Sequence, residues 1–211
     1  MLQLLFGSLL VVAVLFGSDY LSRKKLVSGE LSRKSTHITM SVVFAALPFF
    51  IDLKTIALIA FADIFLAMLA RKFNLFSRLR SVDRRSWGDL FFLLGVGGAA
   101  LLADSNWIFA TGILIMGLAD AAAALVGKSK GRLDYKVFGH NKTLEGSLAF
   151  FMTSVAILVW MILFMPSRLN ATLSNLLLLP LATMVIEAMM PLGLDNLVLP
   201  IFIVIILNVT G

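Results

Sequence analysis

Apolar residues run along this chain in long blocks separated by short polar breaks. A helix that crosses a bilayer needs about 20 mostly apolar residues, with a range of about 17–25. Reading for such blocks predicts eight spans, at roughly 2–17, 37–51, 55–70, 88–103, 107–126, 146–165, 173–190 and 194–210. Several blocks are short, so some helices must begin in flanking polar residues, and the expected count is seven to eight. Three breaks, at 52–54, 104–106 and 191–193, are tight enough to join antiparallel neighbours. The final pair is the weakest prediction, because Pro180, Pro191 and Pro200 remove backbone donors and can split it into re-entrant pieces.

Composition agrees with this pattern. Of 211 residues, 60% are apolar and 14% charged, against about 45–50% and about 25% in soluble domains. Mean hydropathy is +0.98. The expected fold is an all-α polytopic membrane protein, a single transmembrane domain over 1–211. The chain has no cysteine, which removes disulfide scaffolds, thiolate catalysis, zinc–thiolate sites and iron–sulfur chemistry.

The net charge of +6 reads as topology rather than as nucleic-acid binding. Sixteen of the eighteen Lys and Arg residues fall in three loops. The first holds Arg23, Lys24, Lys25, Arg33 and Lys34. The second holds Arg71, Lys72, Arg78, Arg80, Arg84 and Arg85, and the third Lys128, Lys130, Arg132, Lys136 and Lys142. Intervening loops hold only Lys54 and Arg168. The positive-inside rule makes the three rich loops cytoplasmic, with both termini outside. Residues 2–17 lack a basic segment before them and carry one after, so they read as a retained anchor rather than a cleaved signal.

Charged groups inside membrane helices are expensive, about 2.5–3.5 kcal/mol each on insertion scales, so their positions carry information. Asp63 falls near mid-span. Asp120 falls about two turns from the cytoplasmic end of its helix, and Glu187 about one turn from its own. Asp195 and Asn196 sit at the cytoplasmic mouth between the last two spans. Each acid alone can be explained by a basic neighbour or a helix end. All but Asp63 gather near one face, beside the basic loop 127–142.

That loop interleaves glycines with lysines, a composition that suits a polyphosphate, although it contains no Walker A sequence. A basic loop beside a membrane also serves as a topology signal or an anionic-lipid contact. Asp120, Ala124 and Gly127/Lys128 share one helix face, otherwise small, that a ligand or another helix can approach. Glu30, Arg33/Lys34 and His37 recur at helical spacing and make a basic face. Phosphate or head-group contact fits Arg33 and Lys34; a histidine such as His37 is more often a packed polar group than a base. Asp89 is a weaker candidate, and His140 reads as a loop residue.

Three stretches together resemble the CTP-dependent lipid-alcohol kinase family, which includes phytol, farnesol and dolichol kinases, most of all its phytol kinase branch. The first is Glu30-Leu-Ser-Arg-Lys-Ser-Thr-His37, similar to the family's Arg-Lys-x-x-His element. The second is Gly117-Leu-Ala-Asp-Ala121, then Gly127-Lys-x-x-Gly131, then Asn141-Lys-Thr-Leu-Glu-Gly-Ser147. The third is Glu187 followed by Gly193-Leu-Asp-Asn-Leu-Val-Leu-Pro200, with a single Asp195 where many relatives have two consecutive aspartates.

The resemblance implies phosphoryl transfer from CTP, with Mg2+, to a membrane alcohol. It implies Asp120, Glu187 and Lys142 as catalytic groups and Asp120, Glu187 and Asp195 as metal ligands. Gly127, Lys128, Lys130, Gly131, Lys142, Thr143, Glu145 and Gly146 would hold the nucleotide. Arg33, Lys34, His37 and Asn196 would contact substrate. Two alternatives use the same residues: a cytidylyltransferase acting on a lipid phosphate, and a small ion-coupled transporter in which Asp63, Asp120 and Glu187 bind ions or protons. Protease should cut the 127–142 loop only from the cytoplasmic side; cleavage confined to the outer side would overturn the orientation.

Overall fold

The computed structural model describes residues 2–24, 29–73, 87–164 and 173–210. Lys25, Arg78, Arg80, Arg84, Arg85 and Arg168 lie outside these residues, as does the side chain of Glu30. Every apolar block becomes helical: α1 (Leu2–Arg23), α2 (Gly29–Ala46), α3 (Leu53–Lys72), α4 (Gly88–Leu102), α5 (Asn106–Leu114), α6 (Asp120–Lys130), α7 (Leu144–Phe164), α8 (Leu173–Met189) and α9 (Asp195–Thr210). A π-helical turn, Ile115–Ala119, joins α5 to α6 in one rod.

The tight breaks are helix starts. Asp52 caps α3, its Oδ1 accepting from Thr55 N at 2.9 Å. Ser105 caps α5, its Oγ accepting from Ile108 N at 3.2 Å. Between α8 and α9, Leu192 (φ 58°) and Gly193 (φ 89°) take the left-handed conformation that reverses the chain.

The prolines do not break the last pair. Pro180 and Pro200 lie inside continuous helices. Thr183 Oγ1 donates back to Leu179 O at 2.9 Å beside the first. Pro200 cannot donate to the carbonyl of Asn196, four residues back. That carbonyl lies against Gly95 of α4, where a Cβ would collide with it. Proline and glycine together let α9 press onto α4.

The region 127–146 is more ordered than a loop. Its first residues continue α6, and Asp134–Val137 (β1) pairs antiparallel with His140–Thr143 (β2). Phe138 (φ 45°) and Gly139 (φ 82°) form the two-residue turn, with positive φ at both central positions as hairpin twist favours. This small hairpin is the one departure from an all-α fold among the described residues.

Two levels of polar contact separate the ends of the bundle. At one end, Asn106 Nδ2 donates to Pro48 O at 2.7 Å and Asn208 Nδ2 to Leu102 O at 2.7 Å. At the other, Arg71 pairs with Asp89, and Asn196 Nδ2 donates to Gly88 O at 3.1 Å. The described ends of the three basic loops gather at this second end. In between is an apolar core with Phe44, Ile59, Phe109, Phe150 and Leu199 fully buried. Leu9, Phe16, Phe65, Leu163 and Val209 are exposed around the perimeter, an apolar belt that suits membrane association.

The helices differ in reach. Asn106–Lys130 has 25 residues and α7 has 21, and among the described residues these two are long and apolar enough to cross a membrane. Helices α4, α8 and α9 have 15, 17 and 16. At about 1.5 Å per residue the rod is about 37 Å long and α4 about 22 Å. The rod is therefore longer than α4, α8 and α9, and it carries the chain on into the hairpin.

Helices α6 and α7 meet through glycine. A Cβ on Gly146 would sit 2.9 Å from Ala123 O and 2.9 Å from Thr143 Oγ1. Gly146→Leu should therefore destabilise the protein by about 1–3 kcal/mol, as overpacking does, read as a lower thermal midpoint in detergent. Gly17 has nothing within 4 Å of its Cβ position, so Gly17→Ala should leave the midpoint unchanged or slightly higher.

Candidate active site

Asp120 is the first residue after the π turn, and π turns frequently mark functional sites. Gly117 inside that turn leaves the space that the Ser41 side chain of α2 fills, so α2 lies directly against the rod. Two residues of α2 at i and i+3 then reach Asp120. Lys34 Nζ donates to Asp120 Oδ2 at 2.5 Å, and His37 Nε2 lies 3.7 Å from the same oxygen. Lys34 is 3% and Asp120 6% exposed. His37 Nε2 is buried without a hydrogen-bond partner, and its ring meets Phe92 edge-on at 5.0 Å.

A second pair completes the cluster. Glu187, near the end of α8, is 4% exposed and accepts a hydrogen bond from Lys142 of β2. Lys142 Nζ also lies 3.4 Å from Glu187 O. Burial pulls the Lys142 ammonium down. The Glu187 carboxylate and its hydrogen bond outweigh that, helped by Asp195 and Asp120, so the group stays charged above the usual lysine value. Asp195 occupies the first turn of α9, where the helix N-terminus favours a negative charge.

One carboxylate oxygen from each of Asp120, Glu187 and Asp195 lies within 4.8 Å of the other two. Three acids from three helices thus converge, although 75 residues separate the first from the last. Facing them are two ammonium groups, Lys34 and Lys142. Arg33 and His37 also act on Asp120. Magnesium binds oxygen at about 2.0–2.1 Å, so ligands across it stand about 4.2 Å apart. Oxygens that all lie within 4.8 Å of one another are on that scale. The all-carboxylate donor set suits a hard divalent cation bearing further ligands.

The other predicted site residues fall into two groups. Arg33 is half-buried beside Lys34 on α2, and Lys128 and Lys130 are exposed in the last turn of α6. Cations in that turn also offset the helix's C-terminal partial charge. Thr143, Glu145 and the glycines make protein contacts. Thr143 Oγ1 accepts from Gly146 N at 3.1 Å, capping α7. Glu145 accepts from Arg132 N at 3.1 Å and Leu133 N at 3.4 Å, which ties the hairpin to α7. Gly127, Gly131 and Gly146 crowd around Thr143, so their close approach serves the packing of α6, β2 and α7 on one another. Asn196 braces α9 against α4 through Gly88, its Oδ1 buried without a partner.

Asp89 pairs with Arg71, which also stacks over Trp87 at 4.8 Å. Asp63 is buried with neither carboxylate oxygen hydrogen-bonded, about two turns along α3 from Arg71. Sequence reading passed over Tyr135 and Ser147. Their hydroxyls lie 2.5 Å apart, next to Lys142 in the hairpin. The available signal was Tyr135 itself, one of only two tyrosines, set in a polar stretch.

Comparison with known proteins places the chain among kinases of lipid alcohols. It is 30% identical over 203 residues to a phytol kinase of Synechocystis sp., covering 90% of this chain and 83% of that protein. It is 34% identical over 118 residues to the dolichol kinase of Saccharomyces cerevisiae, covering 55% of this chain and 21% of that one. An uncharacterized protein of Methanocaldococcus jannaschii shares 37% identity over 71 residues, 34% of this chain and 36% of its own. No protein-family model matches the chain, and no solved structure does.

The Lys34–Asp120 pair separates stability from chemistry. Lys34→Met should strand a buried carboxylate and cost about 3–5 kcal/mol. Combining Lys34→Met with Asp120→Leu should restore most of the lost thermal midpoint, because both charges are then gone. If the single variant is as stable as the parent, the pair is not the buried contact described.

Proposed function

Because the chain belongs to the family of lipid-alcohol kinases that includes phytol kinase and dolichol kinase, we propose that it transfers the γ-phosphate of CTP to the hydroxyl of a membrane isoprenoid or other lipid alcohol. The products are a lipid monophosphate and CDP. One observation carries this reading: three carboxylates and two lysines meet near the end of the bundle where the basic segments gather.

Phosphoryl transfer needs little covalent help from a protein. It needs positioning and compensation of charge. The alcohol oxygen attacks the γ-phosphorus, the bond from phosphorus to the bridging oxygen of CDP breaks, and the hydroxyl proton passes to a carboxylate of the cluster. Asp120, Glu187 and Asp195 would hold Mg2+, which would offset the charge of the phosphates. Lys142 is the more exposed of the two lysines and would exchange Glu187 for a phosphate oxygen. Lys34 is more deeply buried and orients Asp120. Lys128 and Lys130, exposed on the adjoining rod, would meet the nucleotide phosphates, and Arg33 a lipid or nucleotide phosphate.

The site faces the cytoplasm in this reading, with eight spans and both termini outside. CTP is present there, and the alcohol reaches the site from within the bilayer. Purified protein with magnesium, a panel of phytol, geranylgeraniol, a longer polyprenol and diacylglycerol, and CTP labelled on its γ- or α-phosphate tests this directly. Only the γ label should move to an alcohol. Transfer of the α label to added phosphatidate would establish a cytidylyltransferase instead. Asp120→Asn and Lys142→Ala should each lower kcat by about 100-fold or more, on the scale of losing a principal charge-stabilising group. Full activity in either would remove that residue from the mechanism.

A further inference from the structure

Beside the carboxylate cluster runs a groove for which phosphoryl transfer alone has no use. Tyr135, Ser147, Leu148, Phe151, Leu181 and Met184 line it, and its volume is about 610 Å³, within the range of about 300–1,000 Å³ usual for small-molecule sites. Strand β1 covers one end, while α7 and α8 form the walls.

Its two ends differ. At one, the Tyr135 hydroxyl and Ser147 Oγ form a polar mouth. Tyr135 is the cross-strand partner of Lys142, and directly opposed residues share a sheet face with Cβ atoms about 4.5–5.5 Å apart. Lys142 in turn pairs with Glu187. The groove therefore shares the hairpin with Lys142, one strand away from the ion pair. Along α8, Met184 and Leu181 lie three and six residues before Glu187, so the groove leads about 9 Å away from the cluster into the apolar layer.

The groove is also open sideways. Leu148 is 57% and Leu181 46% exposed on its rim, facing where bilayer lipid would stand. One polar end beside a phosphoryl-transfer site, an apolar channel and a lateral opening match a molecule with a single small polar head and a long hydrocarbon tail. We propose that this groove seats the tail of the acceptor alcohol, with the Tyr135–Ser147 hydroxyl pair holding its head beside Lys142. The identity of the occupant rests on the kinase reading.

The full chain in nanodiscs, irradiated with a diazirine-bearing geranylgeraniol and mapped by peptide, tests binding without turnover. Leu148→Trp and Leu181→Trp add an indole at exposed rim positions, where the core need not repack. Label should fall on the groove segments of α7 and α8. Unlabelled geranylgeraniol should displace it, and excess phospholipid should not. In turnover with CTP, either tryptophan should raise the KM for geranylgeraniol by about tenfold or more, the scale on which an apolar pocket discriminates, and leave the KM for CTP unchanged. Label elsewhere, equal displacement by phospholipid, or an unchanged KM for the alcohol would overturn the proposal. Groove labelling in a protein that phosphorylates no alcohol would support the groove and sink the kinase reading. Turnover with label elsewhere would sink the groove alone.

Discussion

Two lysines, one buried and one half-buried, make this fold possible. Asp120 and Glu187 are almost wholly enclosed, and an isolated carboxylate in such a place would be strongly destabilising. Lys34 answers the first and Lys142 the second, each from an element distant in the chain. Each contact also fixes a piece of architecture. The first seats α2 on the rod, and the second clamps the hairpin onto α8. Asp195 adds a third carboxylate within reach of both lysines.

The rest of the bundle keeps this cluster deep. Gly117 admits α2, Gly95 admits α9, and the glycines around Thr143 let α6 and α7 meet. Asp120 and Glu187 lie inside the bundle rather than on its surface, where the local dielectric strengthens each charge interaction. The hairpin covers one side and brings Lys142 and Tyr135 together on one face.

Much of this was legible in the sequence, and for physical reasons. Apolar block length located every helix, since burial in lipid or core demands long uninterrupted runs. The rarity of charge inside those blocks singled out Asp120 and Glu187. Asp195 stood out at the mouth of the last pair, family resemblance added its role as a metal ligand, and the structure brings an oxygen of each within 4.8 Å of the others. Pairings were not legible. Nothing in spacing tells that Lys34 answers Asp120 across 86 residues, or that Lys142 answers Glu187. The glycines around Thr143 illustrate an ambiguity of the alphabet: a missing Cβ serves a phosphate or a neighbouring helix equally well, and here the neighbour is α7. The hairpin escaped notice because two four-residue polar strands carry no apolar alternation, and Pro200 read as a breaker because its compensation lies in Gly95 of another helix.

The account stands most directly on the claim that Asp120, Glu187 and Asp195 together hold a divalent ion. Electron paramagnetic resonance of Mn2+, titrated into the full chain with and without CTP, measures that without relying on turnover. One Mn2+ site tightened by CTP, and weakened or lost in Asp120→Asn, Glu187→Gln and Asp195→Asn variants that remain folded, is the predicted result. Mn2+ binding of unchanged affinity in all three would contradict it.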